Sequence, residues 1–238
     1  MKQIKINVAI LCILSFHPHL HPVFDSQILV DHVKQSIQSA QQHASKLNRD
    51  VLAIQGMTSP KIKHLLNNLC SLKDAQYLEI GVFMGSTFVA ALYNNTDLLH
   101  HAVSVDNWSE FGGPKHAFFK NTQTFLPQNS FNFFDKDCFK LDIKTVCKKP
   151  VDIYFYDGNH SSESQEKAFT YFNEILADTF IAIVDDWVWA EVQEGTRKAF
   201  KKLNYTILYE CELPCRLQGS DVDLWWNGFY VAVISKNK

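Results

Sequence analysis

The chain contains few of the residues that mark fibrous, disulfide-rich or linker proteins. It has 9 glycines and 7 prolines in 238 residues, too few for a collagen-like or linker-dominated protein. Its six cysteines are scattered, and only Cys211 and Cys215 lie close together, with no second pair to complete a zinc site. We therefore expect reduced thiols and a fold that needs no disulfide bonds.

The chain also lacks a charge excess and a long apolar run. It has 23 Lys and Arg against 25 Asp and Glu, with no basic block, which argues against nucleic acid as a partner. No stretch reaches the roughly 20 apolar residues of an integral membrane span. With 46% hydrophobic and 20% charged residues, the composition is that of a globular domain.

The first 24 residues form an apolar N-terminal extension with two interpretations. Lys2 and Lys5 precede the apolar run 8–16, as in a secretory signal or a short membrane anchor, but no small-x-small cleavage site follows. The alternative is an extension that packs on the domain or stays loose. Residues 25–73 then predict two helices, one over 25–47 with an apolar stripe and one over 60–72 with Pro60 in its first turn.

From residue 74 to 238, short apolar runs alternate with helical patterns. The runs at 77–80, 102–105, 130–134, 151–156, 180–184, 205–211 and 228–235 predict strands, and 86–93, 115–125, 162–176 and 191–203 predict helices. This alternation predicts an α/β fold with a Rossmann-like sheet of about seven strands and helices on both faces. The last two strands have no helix between them, so we expect an antiparallel hairpin at the sheet edge.

The loop after the first strand contains two glycines. Gly81 permits a tight turn and Gly85 a close backbone approach, and Ser86 and Thr87 open a helix whose N-terminus can hold an anionic group. The spacing is neither the Gly-x-Gly-x-x-Gly of dinucleotide sites nor a P-loop. On its own the loop is as consistent with an ordinary strand–helix turn.

Carboxylates follow the next two strands, where a parallel sheet places its ligands. Asp106 ends the second strand, 27 residues after Glu79, a distance that suits hydrogen bonding to a ribose. Asp137 follows the third strand and could accept a hydrogen bond from an adenine amino group. A capping role for Asp106 and a solvated turn for Asp137 are the alternatives.

Three further carboxylates follow the fourth and fifth strands. Asp157, Asp185 and Asp186 should converge on one edge of the sheet, where their mutual repulsion favours a divalent cation such as Mg²⁺. His160 lies three residues after Asp157, and histidine is the side chain best suited to take a proton near neutral pH. The pattern predicts a metal site with an adjacent general base.

Taken together, these segments resemble class I S-adenosylmethionine (SAM)-dependent methyltransferases. The segment 78–88 is similar to the first motif of the family, 103–108 to its ribose-binding segment and 135–138 to its adenine-contacting segment. The resemblance implies SAM as cofactor and a methyltransferase domain over 74–238. The implied cofactor-binding residues are Glu79, Gly81, Gly85, Ser86, Thr87, Asp106, Asn107, Asp137, Cys138 and Asp157.

Within the class, the segments at 157–160 and 183–186 resemble metal-dependent O-methyltransferases of the catechol, caffeoyl-CoA and macrocin types. The resemblance implies Mg²⁺ held by Asp157, Asp185 and Asp186, with His160 and Asp157 as catalytic residues acting on a small hydroxylated acceptor. Catechol-type enzymes have Asp-Asn where this chain has Asp185-Asp186, and Lys as base where it has His160. Those departures leave a sugar, a phenol or a carboxylate-bearing acceptor open.

Several expectations accompany this resemblance. The N-terminal helices could form a homodimer interface, and a SAM-using enzyme is expected in the cytoplasm. Trp108, Phe111, Trp187 and Trp189 are candidates for walls of the acceptor pocket or for ordinary packing. A non-catalytic SAM-binding protein and a metal-dependent hydrolase remain alternatives. A nicotinamide-dependent oxidoreductase is disfavoured by the glycine spacing.

Overall fold

The structure is a computed structural model that describes residues 23–214 and 225–237. The predicted extension therefore lies outside the described residues except for its last two. The helices are α1 (Ser26–Gln41), α2 (Arg49–Leu52), α3 (Pro60–Leu69), α4 (Ser86–Leu92), α5 (Lys115–Phe125), α6 (Ile143–Val146), α7 (Ser162–Phe172) and α8 (Ala190–Lys202). The strands are β1 (Gln76–Ile80), β2 (His101–Asp106), β3 (Asn132–Asp135), β4 (Val151–Tyr156), β5 (Leu176–Val184), β6 (Tyr205–Leu213) and β7 (Phe229–Lys236).

The seven strands form one sheet in the order β3-β2-β1-β4-β5-β7-β6. Strands β1 to β5 pair in parallel, whereas β7 is antiparallel to both β5 and β6. The predicted Rossmann-like sheet with an antiparallel C-terminal hairpin is confirmed. Because β7 inserts beside β5, it is β6 that lies at the edge.

Helices cover both faces of the sheet. Along β4, Ile153 and Phe155 pack with α1, α3 and α4, whereas Tyr154 and Tyr156 pack with α7 and α8 on the opposite face. Alternate strand residues therefore enter different cores, as expected for a sheet buried on both sides. The N-terminal helices share the first of these cores with the sheet through residues such as Leu29 and Val33.

The element boundaries differ most from the sequence predictions at two places. Helix α1 ends at Gln41 rather than near 47, and His43 follows with a positive φ of 53°. Helix α7 ends at Phe172, and residues 176–179, which were predicted as helix and loop, belong to β5. The extra strand length comes from pairing with β4 and β7, a long-range interaction that local periodicity does not report.

Within the described ranges, no helix combines the length and the apolar character needed to cross a bilayer.

Candidate functional site

A cavity of about 540 Å³ opens at the carboxyl ends of the parallel strands. Its walls come from the loops that follow β1, β2, β3, β4 and β5 and from the turn before β7, the edge at which parallel sheets place ligands. The predicted site residues that line it are Gly81, Asp106, Asn107, Asp137, Cys138, Asp157, His160, Asp185 and Asp186. Four predicted cofactor residues, Glu79, Gly85, Ser86 and Thr87, lie behind its wall.

Gly81 brings the end of β1 against the end of β4. Its φ is +86°, and a Cβ at this position would lie 1.8 Å from the carbonyl oxygen of Asp157. Any side chain would therefore push Asp157 out of place, so the position requires glycine both for its conformation and for space. Gly85, with φ +80°, precedes α4 and leads into its first turn.

A buried hydrogen-bond network stabilises this loop from behind. The Glu79 carboxyl group, fully buried in β1, is bonded to the Tyr77 hydroxyl and the Thr87 hydroxyl, both at 2.5 Å. Burial raises the pKa of Glu79 to about 8 despite these bonds. The Ser86 hydroxyl donates to the carbonyl oxygen of Ile54 at 3.0 Å. Three of the predicted cofactor residues thus have structural partners that fix the loop.

Asp106 organises the backbone around the cavity. One carboxylate oxygen accepts hydrogen bonds from the backbone N–H groups of Val82 and Phe83, at 2.9 and 2.8 Å, and the other accepts from Trp108 at 2.7 Å. A carboxylate has about four lone-pair positions, so the oxygen that faces Trp108 can still accept one further bond. The turn-stabilising alternative is therefore realised, and the carboxylate retains capacity for a ribose hydroxyl.

The loop after β3 forms the far wall of the same cavity. Asp137 accepts the backbone N–H of Phe139 at 3.0 Å and lies 3.2 Å from the Lys140 ammonium group. It thereby caps a short 3₁₀ turn that begins with Cys138. Burial raises the pKa of the Cys138 thiol to about 12, so the thiol stays protonated near neutral pH.

Three potential metal ligands meet at the other end of the cavity. Asp157, His160 and Asp186 each offer an atom, and these atoms lie within 4.8 Å of one another. Desolvation, together with the charges of Asp185 and Asp186, raises the pKa of Asp157 well above its usual range. Asp185 is buried beside this group and accepts the backbone N–H of Asp186 at 2.9 Å, but it does not belong to the group of three.

Asp186 connects the elements around this end of the cavity. Its Oδ2 lies 2.8 Å from His160 Nε2, and its Oδ1 accepts a hydrogen bond from the Asn227 side-chain amide at 2.7 Å. The bond to Asp186 raises the pKa of His160 despite partial burial. Asp186 has a positive φ of 56°, a left-handed conformation that aspartate adopts more readily than most residues other than glycine.

Aromatic side chains form the rim of the cavity. Trp108, Phe111 and Trp189 line it as expected, and the Trp189 ring lies 4.6 Å from the ring of His160. Trp187 does not line it, because this side chain is buried and stacks on Tyr230 at 4.1 Å. For Trp187 the packing alternative is therefore realised, and Trp226 is a further tryptophan that lines the cavity.

Several lining residues escaped the sequence analysis. Met57, Glu110, Lys136, Ser164, Trp226 and Asn227 line the cavity, and the sequence analysis singled out none of them. Asn227 and Trp226 reach the site from a turn about 40 residues after Asp186. Met57 lies in the turn before α3, and Glu110 and Lys136 lie in the loops after β2 and β3, which the rule for parallel sheets already marks as ligand-binding. Trp226 and Asn227 depend on the return of β7 to the sheet.

A known family matches the central part of the chain. Residues 78–187, a little under half of the sequence, match the family described as "Methyltransferase domain". No curated protein matches the chain.

Solved structures of methyltransferases share the fold. A protein described as a methyltransferase complexed with S-adenosylhomocysteine (SAH) is 17% identical with a TM-score of 0.51, covering 74% of this chain, which spans only 48% of that protein. A caffeoyl-CoA O-methyltransferase from Staphylococcus aureus is 17% identical with a TM-score of 0.52, covering 89% of this chain and 99% of its own. An RNA methyltransferase from Pyrococcus horikoshii is 15% identical with a TM-score of 0.53, covering 87% and 100%. At these identities the likeness establishes the fold.

Proposed function

We propose that this chain, which has the Rossmann-like methyltransferase fold, transfers the methyl group of SAM to a hydroxyl group of a small molecule with the help of a divalent metal ion. The fold and the matched domain support SAM-dependent methyl transfer. The observation that carries the metal-dependent form is the grouping of Asp157, His160 and Asp186 in the same cavity as Asp106 and Asp137.

The end of the cavity between β1, β2 and β3 is suited to the cofactor. Asp106 would accept a ribose hydroxyl at the carboxylate oxygen that faces Trp108, and Asp137 and Cys138 would border the adenine. Gly81 and Asn107 would lie along the cofactor, while Glu79, Gly85, Ser86 and Thr87 hold the loop from behind. Asp157, next to Gly81, lies between this end and the metal end.

The residues at the metal end fit a hard divalent cation. Asp157 and Asp186 supply carboxylate oxygens, the ligands that Mg²⁺ prefers, and their mutual repulsion with Asp185 is what a cation would relieve. We keep Asp185 as a predicted ligand or as the charge that supports the other two. A bound Mg²⁺ would coordinate the acceptor hydroxyl and lower its pKa.

His160 is positioned to act as the general base. A neutral imidazole that donates its Nε2 hydrogen to Asp186 leaves a lone pair on Nδ1, which can accept the proton of the acceptor hydroxyl. Asp186 would then stabilise the imidazolium that forms, and its hydrogen bond fixes the orientation of the ring. The remaining rate would come from aligning the hydroxyl oxygen with the sulfonium methyl group.

Calorimetric titration with SAH, with and without Mg²⁺, tests the core of this proposal. We expect micromolar or tighter binding of SAH, followed by methyl transfer to hydroxylated acceptors that is lost when a chelator removes the metal. Binding of SAH without any metal-dependent turnover would favour the non-catalytic alternative. Absence of SAH binding under both conditions would overturn the methyltransferase proposal and leave a hydrolytic metal site as the better interpretation.

The comparisons leave the class of acceptor open. The similar structures include both an O-methyltransferase and an RNA methyltransferase, so they do not separate a small molecule from a nucleic acid. The prediction of a small-molecule acceptor therefore depends on the cavity itself and on the near-neutral charge of the chain.

A further inference from the structure

The acceptor end of the cavity combines exposed aromatic rings with carboxylates. Among the described residues, nine large hydrophobic side chains are strongly exposed, and four of them, Met57, Phe111, Trp189 and Trp226, line this one cavity. Phe111 is 65% exposed and the two tryptophans 44% each. A concentration of exposed rings at one mouth is typical of a surface that binds a ligand.

These rings are connected to the metal end through hydrogen bonds and packing. Trp189 packs edge-on against His160, and Trp226 adjoins Asn227, which bonds to Asp186. The part of the acceptor that extends beyond the reacting hydroxyl would therefore contact these aromatic rings. Trp108 and Phe111 have positive φ values of 46° and 53°, unusual for bulky residues, so the backbone is held in a strained form that presents this rim.

The ionisable side chains that line the cavity are mostly carboxylates. Six carboxylates line it, those of Asp106, Glu110, Asp137, Asp157, Asp185 and Asp186, against one lysine, Lys136, and His160. Lys136 follows β3, at the end assigned to the cofactor. At the acceptor end four carboxylates remain, and a divalent cation would offset two of them, leaving the buried Asp185 and the exposed Glu110, which adjoins Phe111 in the rim. Within the described residues, the Glu110 carboxylate forms no hydrogen bond or salt bridge, and its charge acts on His160.

We propose that the acceptor is a hydroxylated compound that carries an amino group, which is held as an ammonium ion by Glu110 and the aromatic rim. This inference rests on the proposed function, because it assigns the non-reacting part of the acceptor at that same site. Aromatic faces and a carboxylate both attract a cation, and together they favour it over a neutral group of the same shape. The same surface repels a phosphate or carboxylate group on an acceptor.

Two matched acceptor series test the inference. The first series consists of benzene-1,2-diols that carry an aminoethyl, ethyl or carboxymethyl group para to one hydroxyl. The second series consists of the hexoses glucosamine, glucose and glucuronic acid. Binding to protein saturated with SAH and Mg²⁺ is measured by calorimetry, and methyl transfer by SAH formation from SAM. We expect the amine to exceed its neutral analogue in kcat/KM by about tenfold on at least one scaffold, with the anion weakest.

Substitutions then locate the recognition. Glu110→Gln should reduce the ratio of amine to neutral acceptor severalfold, and the matched variant Asp97→Asn, at an exposed position outside the cavity, should leave that ratio unchanged. Trp226→Leu should reduce it as well, and Trp226→Phe should restore part of it because a ring is kept.

The outcomes separate the two proposals. Equal rates across both series, a preference for the anion or a phosphorylated RNA acceptor, or no binding of any member to protein that does bind SAH would overturn the amine proposal alone. Failure to bind SAH would instead overturn the proposed function.

Discussion

At the scale of single residues, three neighbouring side chains in the cavity have different proposed roles: Asp157 and Asp186 would bind the metal, and His160 would act as the base. Asp157→Asn and Asp186→Asn should each weaken binding of Mn²⁺, used as a paramagnetic probe, by about 100-fold, because each removes one of the proposed carboxylate ligands. His160→Gln should weaken it by about tenfold at most, since His160 acts on the metal only through its bond to Asp186. Electron paramagnetic resonance titration measures all three variants.

A matched control for this experiment is Asp137→Asn, at the cofactor end of the same cavity, which should leave Mn²⁺ affinity unchanged. If His160→Gln weakens Mn²⁺ binding as much as Asp157→Asn does, His160 is a third metal ligand and the assignment of the general base is wrong.

Asp106 differs from these residues because it supports backbone as well as the proposed ribose contact. Asp106→Asn replaces one of the two acceptor oxygens by an NH₂ group, so the side chain can no longer accept both the N–H groups of Val82 and Phe83 and the N–H group of Trp108. We expect a loss of about 1–3 kcal/mol of stability and at least a tenfold loss in SAH affinity. Thermal denaturation and calorimetry measure the two effects.

Asp135→Asn provides the comparison, since Asp135 is the register partner of Asp106 on β3 and forms an ion pair with Lys115 at the surface. It should change neither quantity by more than about 0.5 kcal/mol. Unchanged stability and SAH affinity in Asp106→Asn would contradict the dual role.

At the scale of elements, the contact between α7 and α8 determines where His160 lies. Gly195 of α8 approaches the start of α7, and a Cβ there would lie 2.2 Å from the carbonyl oxygen of Ser162, two residues after His160. Alanine is ordinarily better than glycine in a helix by about 1 kcal/mol, but here it must separate the two helices. We expect Gly195→Ala to destabilise the protein by about 1–3 kcal/mol and to lower kcat.

Urea denaturation and steady-state kinetics check this prediction, with Glu194→Ala as the matched control. Glu194 is exposed on the same turn of α8, so alanine there should be neutral or slightly stabilising. A stabilised Gly195→Ala protein with full activity would show that the two helices tolerate the added methyl group.

Local sequence signals predicted the interiors of the elements better than their ends. Helix α5 and strand β4 match their predicted bounds, and glycine or proline residues near both ends mark each of them in the sequence. The helices α2 and α6 have four residues each and carry no periodic stripe. Their N-caps, Asn48 and Asp142, are the only local signal for them, and such residues are as common in turns.

At the scale of the whole molecule, the sheet brings residues that are far apart in the sequence together at one site. The rule that ligands bind beyond the carboxyl ends of parallel strands brought Asp106, Asp137, Asp157 and Asp186 to one cavity. The rule says nothing about the reversed strand β7, whose preceding turn supplies Trp226 and Asn227. It also does not distinguish residues that line the cavity from buried neighbours that do not, such as Glu79 and Thr87.

Glu79 gives a prediction about global stability, because its carboxyl group lies in the centre of the sheet. Its pKa of about 8 in the folded protein exceeds the usual 4.5, since burial outweighs the bonds from Thr87 and Tyr77 and the charge of Asp106 adds to it. The folded state therefore binds this proton more tightly than the unfolded state does. The contribution of this proton to the free energy of unfolding is fully present below about pH 4.5 and is lost as the pH rises to about 8.

Glu79→Gln removes this proton while retaining an acceptor for one hydroxyl and a donor for the other. The free energy of unfolding of the wild type should fall between pH 5 and 8 relative to that of the variant, by up to about 5 kcal/mol. Urea denaturation across this range measures the difference. An exposed control, Glu174→Gln, should follow the wild-type curve.

Because Asp157 and Asp185 also have raised pKa values, the wild type and Glu79→Gln should both lose some stability as the pH rises, and only the difference between their two curves belongs to Glu79. A difference that does not change with pH would mean that Glu79 is ionised in the folded protein.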